Sequence, residues 1–178
     1  WKSMKDHGVF QQISEEEARV HHATVVGSRW VYRFKPKEGE PERVKARLVG
    51  QQFNNGRPCD GFAATPTLVG QRLLLLQALR KGWPVFPLDV VTAFLNAPIP
   101  DAVWTCVRLG TCPFDGAWTS NSLMRCRKAL YGLRESPRLF QEWLAAQLAQ
   151  LGFQRLVGDP QLFVRADGAM LSVHADDM

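Results

Sequence analysis

Nowhere in this chain do two cysteines stand close together. The four it has, Cys59, Cys106, Cys112 and Cys126, are scattered without a C-x-x-C pair, so neither a zinc ribbon nor a small disulfide scaffold is favoured. No uninterrupted apolar run approaches the roughly 18 residues that a spanning helix needs. The N-terminus, WKSMKDHGVF, lacks the cationic segment and apolar core of a secretory signal. These absences read together as an intracellular chain with no membrane partner. Disorder is also disfavoured: 46% of the residues are hydrophobic and 22% charged, which is ordinary for a globular protein. A length of 178 residues suffices for one sizeable core, or for two small lobes sharing one.

What is present is positive charge, and it is concentrated. Arg29 to Arg47 holds seven Lys/Arg against three Glu, and Arg125 to Arg138 holds five against Glu135, while the whole chain carries only +5. Such a surface suits a polyanion, a nucleic acid or a triphosphate; a merely solvated face has the same composition. In RWVYRFK, Arg29, Val31, Arg33 and Lys35 alternate with Trp30, Tyr32 and Phe34, and in RVKARLV, Arg43, Lys45 and Arg47 alternate with Val44, Ala46 and Leu48. The intervening PKEGEPE has the prolines and glycine of a loop. The pattern predicts an antiparallel hairpin with its apolar face inward and a row of cations outward.

Four further segments order the rest. SEEEA, with Ser14 as N-cap, predicts a short acidic helix, with His21 and His22 a solvated pair beside it. GQRLLLLQALRKG, Gly70 to Gly82, predicts a helix with cations in its last turn and a glycine stop. RESPRLFQEWLAAQLAQLGF predicts another, with Ser136 as N-cap, Pro137 at the first helical position and a stripe of Leu139, Phe140, Trp143, Leu144, Leu148 and Leu151. QLFVRADGAMLSVHADDM then predicts two strands turned at Asp167-Gly168.

Three aspartates call for an explanation. Asp89 sits in Val85 to Val91, which reads as a buried strand, and a carboxylate there is costly to ionise unless it is paired or binds a cation; an aspartate in a strand-end turn would need no such partner. Asp176 and Asp177 set two like charges side by side after an apolar strand. The element order predicts an α+β fold with helices on one face of an antiparallel sheet.

The succession RVKARLVGQQF, LDVVTAFLNAPIP, KALYGLRESPR, LGFQRLVGDPQLFV and VHADDM resembles the reverse transcriptase domain of copia-type LTR retrotransposons, in the family's order and over nearly the whole chain. The resemblance implies a right-hand polymerase: fingers over about 1–84 and 118–136, and palm over about 85–117 and 137–178. It implies RNA-directed DNA polymerase activity, with two magnesium ions, or manganese in their place, held by Asp89, Asp176 and Asp177 as catalytic residues. Lys45 and Arg47 then face the triphosphate of an incoming deoxynucleotide. Phe94 becomes the bulky residue that blocks a ribose 2′-hydroxyl, and Tyr131 and Gly132 line the pocket beside the base. Arg43, Arg134, Arg138 and His174 are implied at the RNA or DNA template-primer. Singly, each has a plainer use as core aromatic or solvated cation.

This chain departs from the family where Tyr-Val-Asp-Asp becomes His174-Ala175-Asp176-Asp177, and where A-F-L-N-G ends in Ala97. The histidine bears on primer positioning more than on metal binding. The family's next segments, primer grip, thumb and RNase H, are expected beyond Met178, and integrase before Trp1, so the sequence is expected to be a thumbless part of a Pol polyprotein from a cytoplasmic virus-like particle, or a decayed copy. A remnant that keeps the fold and nucleic-acid binding without catalysis is the competing expectation. Under either, strand 170–175 is expected to be left without a hairpin partner.

Overall fold

The computed structural model describes residues 2–35, 43–53, 61–110, 118–175, 177 and 178. After a short helix α1 (Lys2–Asp6) and strand β1 (Phe10–Gln12) comes α2 (Glu15–Val20). Its N-cap is Ser14, whose Oγ accepts from Glu17 N at 3.0 Å. Glu15, Glu16 and Glu17 occupy the first turn, where the helix dipole favours negative charge.

The expected hairpin is β2 (Thr24–Lys35) with β3 (Arg43–Gln51), paired antiparallel so that Trp30 faces Leu48, Tyr32 faces Ala46 and Arg33 faces Lys45. The PKEGEPE loop lies outside the described residues. The inward apolar face holds only at the base: Leu48 is buried and Trp30 packs on the core, while Tyr32, Phe34 and Val44 are exposed. The reason is length, since the hairpin runs on past the one strand that flanks it.

Helix α3 (Leu68–Lys81) starts at Thr67, whose hydroxyl accepts from Gly70 N, and stops at Gly82, which takes φ 64°. The residues that follow correct an expectation. Val85 to Val91 forms no strand and, apart from the half-buried Val90, is exposed rather than buried. Pro84 and Pro87 offer no N–H to a ladder, and the segment's backbone pairing is confined to Leu88 and Asp89 among the described residues. A short helix α4 (Ala93–Asn96) leads to β4 (Thr105–Arg108) and then β5 (Leu123–Cys126).

Five strands form one sheet in the order β1-β5-β4-β2-β3. The sheet is mixed, not antiparallel as expected, because β2 and β4 run parallel, Thr24 beside Thr105 and Gly27 beside Arg108. Parallel neighbours need a long crossover, which β3, α3 and α4 together provide. Helix α5 (Ser136–Gln150) then leads into β6 (Phe153–Arg155), β7 (Leu162–Arg165) and β8 (Met170–Ser172), a second sheet that is antiparallel throughout. The β7–β8 turn is the expected Asp167-Gly168, with Gly168 at φ 92°. Asp167 ion-pairs Arg165 at 2.7 Å and accepts from Ala169 N; that guanidinium holds the Asp167 carboxyl down to about 2.

One cluster of buried residues joins both sheets and α5, with Val9, Leu48, Val107, Leu130, Phe140 and Phe163 almost inaccessible. Cys106 and Cys126 are buried on adjacent strands, and burial pushes the Cys106 thiol up to about 11 and Cys126 upward as well. Both are neutral packing groups. Among the described residues no helix is long and apolar enough to cross a membrane.

Candidate active site

Of the three predicted aspartates, the two furthest apart in the sequence meet. His174 and Asp177 exchange backbone hydrogen bonds, His174 N to Asp177 O at 2.7 Å and Asp177 N to His174 O at 3.0 Å. They enclose a two-residue turn in which Ala175 has φ 55°, the sign that primed hairpin turns demand of their first central residue. The chain then pairs with the segment after α3: Leu88 N donates to Met178 O and Met178 N to Leu88 O, at 2.8 and 2.9 Å. Asp89 therefore stands opposite Asp177 in an antiparallel bridge. It is a non-hydrogen-bonded pair, so its Cβ atoms are roughly 4.5–5.5 Å apart on one face.

Both aspartates are exposed, and among the described residues neither has an ion-pair partner. Like charges placed directly opposite each other repel, and a hard cation would compensate them. Asp176 lies outside the described residues; among those described, no three potential ligands gather. A cleft of about 760 Å³ opens beside the turn, between α3, residues 83–86 and β8, with His174, Asp177 and Met178 in its wall.

A second group of predicted residues assembles at the base of the hairpin. Phe94, half-buried on α4, has its ring 4.6 Å from Tyr131 and edge-on to Phe140 at 5.9 Å. The Arg47 guanidinium lies 5.3 Å over the Tyr131 ring. Backbone bonds fix the tyrosine: Gly50 N donates to Tyr131 O at 2.7 Å and Gln52 N to Gly132 O at 3.3 Å. Gly132 has φ 84°, and a Cβ there would run into the Gly50 carbonyl, so glycine is required twice over. Arg134 N donates to Gln52 Oε1 at 2.8 Å.

Sequence reasoning missed several residues that build this corner. Ser136 opens α5 but does not cap it: its hydroxyl accepts from Leu130 N at 3.0 Å and donates to Leu130 O at 2.6 Å, closing the loop 130–136 on itself. The helix cap position falls to Glu135, which makes no side-chain cap bond. Asn96 Nδ2 donates to Val91 O at 3.2 Å, tying α4 to the segment that carries Asp89. Its place in AFLN was the available signal. Asp159 accepts from Thr67 N at 3.0 Å and Thr67 Oγ1 at 2.6 Å, which anchors the start of α3 to the β6–β7 loop. Burial pushes that carboxyl up, but the Thr67 and Gln161 donors outweigh it and hold it below its usual value.

The two basic stretches have different fates. Arg125 is buried, donates to Asp101 O at 2.8 Å and lies 3.7 Å over the Trp104 ring. Arg127 pairs with Asp101 at 2.9 Å, Lys128 donates to Asn96 O, and Arg138 pairs with Glu142 at 2.6 Å on α5. On the hairpin, Arg29, Arg33 and Lys45 are exposed and Arg47 half-buried; the Arg43 side chain lies outside the described residues.

The family described as Reverse transcriptase (RNA-dependent DNA polymerase) matches residues 17–178. The Retrovirus-related Pol polyprotein from transposon RE1 of Arabidopsis thaliana is 35% identical over 165 residues, 88% of this chain and 11% of the relative. That from transposon RE2 of the same plant is 34% identical over 163 residues, 87% of this chain and 11% of the relative. The corresponding polyprotein from transposon TNT 1-94 of Nicotiana tabacum is 26% identical over 159 residues, 84% of this chain and 12% of its own length. The chain thus spans about a ninth of the length of the curated relatives it matches.

Proposed function

The chain belongs to the reverse transcriptase (RNA-dependent DNA polymerase) family and its relatives are copia-type retrotransposon Pol polyproteins, and from that membership we propose that it carries the nucleotide-adding centre of an RNA-directed DNA polymerase. The observation that carries the reading is the meeting of Asp89 and Asp177 on one face. They are exposed hard-oxygen donors without a cationic partner among the described residues, a donor set that suits magnesium or manganese, and with Asp176 they would hold it. Two divalent ions bound there supply activation of the primer 3′-hydroxyl and charge stabilisation on the leaving pyrophosphate.

The protein's own groups do the positioning. Lys45 and Arg47 present cations to the deoxynucleotide triphosphate. Phe94, held against Tyr131 and Phe140, walls off the space a 2′-hydroxyl would need, and a wall discriminates by shape. Tyr131 and Gly132, fixed to the end of β3, flank the base. Arg43, Arg134, Arg138 and His174 face the template-primer. In this reading the hairpin belongs to fingers and the Asp89–Asp177 region to palm, within a Pol polyprotein flanked by integrase and RNase H.

The test is primer extension of oligo(dT) on poly(rA), using the chain within a protein extended to its relatives' length. Extension is expected only with a divalent ion, and Asp89→Asn or Asp176→Asn is expected to abolish it, since each removes a carboxylate from the clamp. Extension retained by either variant sinks the assignment. In the same assay Phe94→Ala should raise ribonucleotide incorporation relative to deoxyribonucleotide; an unchanged ratio makes Phe94 a core residue only.

A further inference from the structure

Left-handed backbone is rare in a β-branched residue, because the Cβ crowds the following carbonyl. Thr92 adopts it, with φ 53° and ψ 40°, at the head of α4. Asp89 lies three residues before this bend and Phe94 two residues after it. Strain of this kind persists only where the surroundings hold it. A threonine heading a helix ordinarily caps it by accepting from a backbone N–H of the first turn, yet this hydroxyl makes no such bond. It turns instead to the Val91 carbonyl at 2.7 Å and to His7 Nε2 at 3.3 Å.

The half-buried His7 ring is built to hold that hydroxyl. Its other nitrogen, Nδ1, lies 2.7 Å from Ser3 O, and a carbonyl only accepts, so Nδ1 carries a proton. Nε2 is then an acceptor in the neutral ring and a donor in the imidazolium. With the neutral ring, the single Thr92 hydroxyl proton goes to Nε2, and Val91 O keeps the Asn96 Nδ2 donor at 3.2 Å. With the imidazolium, Nε2–H donates to Thr92 Oγ1, whose own proton goes to Val91 O. Either state closes a network from Ser3 through His7, Thr92 and Val91 to Asn96 with no member unpaired. The near end is rooted: Met4 and Val9, on either side of His7, are buried in the main core, and Arg127 N donates to Val9 O at 2.8 Å.

We propose that His7 is a positioning residue for the nucleotide-adding centre. By pinning Thr92 in its left-handed bend, it fixes how Asp89 on one side stands to Phe94 on the other. The proposal rests on the polymerase reading for the roles of those two residues and deepens it. The ion-binding carboxylate and the wall against a 2′-hydroxyl owe their spacing to a side chain just past α1.

The experiment has two arms. In primer extension by the chain within a protein extended to its relatives' length, His7→Ala should lower kcat with deoxynucleotide about tenfold. It should also raise the ratio of ribonucleotide to deoxyribonucleotide incorporation about threefold, whereas a merely structural loss slows both substrates alike. His7→Gln, whose amide nitrogen can donate where Nε2 stood, should restore both. In a Thr92→Gly background, where the bend is unstrained and the hydroxyl gone, His7→Ala should change neither further. The second arm uses this chain alone. Amide exchange at Leu95 and Ala97, which donate to Thr92 O and Phe94 O, should be about tenfold faster in His7→Ala and at the parent's rate in His7→Gln. An unchanged incorporation ratio, a His7→Gln variant as impaired as His7→Ala, additive losses in the Thr92→Gly background, or unaltered exchange overturns the proposal. Absent extension by the parent with the exchange contrast intact defeats the polymerase reading alone; an unmoved ratio with extension intact defeats the positioning role alone.

Discussion

The candidate site has two halves held in opposite ways. The loop 130–136 is cinched by Ser136, bonded to Gly50 and Gln52, and packed through Leu130 and Leu133 into the main core. The carboxylate half hangs on a pair of hydrogen bonds between Leu88 and Met178 and a tight turn, in a segment whose side chains are largely exposed. The first half has the rigidity that shape selection requires. The second has the accessibility and charge that ion binding requires, and local stability suffers for it. Substitutions in the loop should therefore register as lost stability, and those among the carboxylates as lost activity with the fold intact.

The largest expected stability effect is Gly132→Ala. It combines a left-handed φ with a collision at the Gly50 carbonyl and should destabilise by about 3 kcal/mol, read from urea unfolding midpoints. A neutral result would mean that the loop is not rigid. Next comes Ser136→Ala, which strands the buried N–H and C=O of Leu130 at a cost of about 2 kcal/mol. Thermal melts check this, and threonine at the same position should recover part of the loss.

Asp159 lies between the halves because it anchors α3, from whose end the Asp89 segment departs. Asp159→Asn should cost about 1 kcal/mol near neutral pH. Its folded carboxyl is held below the ordinary value of about 3.9, so its stabilisation is present above that value and lost as pH falls through the lowered folded one. Urea melts at pH 6 and at successively lower pH should show the parent's advantage over Asp159→Asn shrinking with acid; an advantage constant with pH would detach Asp159 from α3. The smallest effect is Asp177→Asn, with stability within about 0.5 kcal/mol of the parent and not lowered, because it relieves a like-charge pair. A large loss of stability there would erase the contrast between the halves.

Local signals carried much of the fold. Ser14, Gly82 and the Asp167-Gly168 turn mark chain reversals and helix ends where propensity acts within a few residues, and all three are realised. The antiparallel hairpin, with its cations and aromatics sorted to opposite faces, followed from strict alternation. What failed to show was non-local. Val85 to Val91 read as a strand because it is apolar, yet with prolines at 84 and 87 no neighbour could pair along its length. Nothing near β2 or β4 reveals that they lie side by side, nor that the hairpin outruns its sheet and leaves Tyr32 and Phe34 bare. In the site, the residues of recognisable motifs were legible as a group, while Asn96, Gln52, Asp159 and the true use of Ser136 depend on partners distant in sequence or on a loop conformation.

The parallel seam between β2 and β4 also sets the order in which this protein can assemble. Ser28 Oγ reaches Arg108 O across 80 positions, and β1 must wait for β5, Phe10 for Cys126. The hairpin β2–β3 closes over a short loop and can form first, within microseconds. The seam must close a loop many times longer, and each doubling of length adds about 0.6 kcal/mol of entropy cost. Folding is therefore slowed by contact order rather than by any single interaction. On a ribosome the hairpin emerges with its edges unpaired well before β4 and β5 arrive. During that interval its terminal charges, Arg33 and Lys45 above all, are what discourages pairing with another nascent chain.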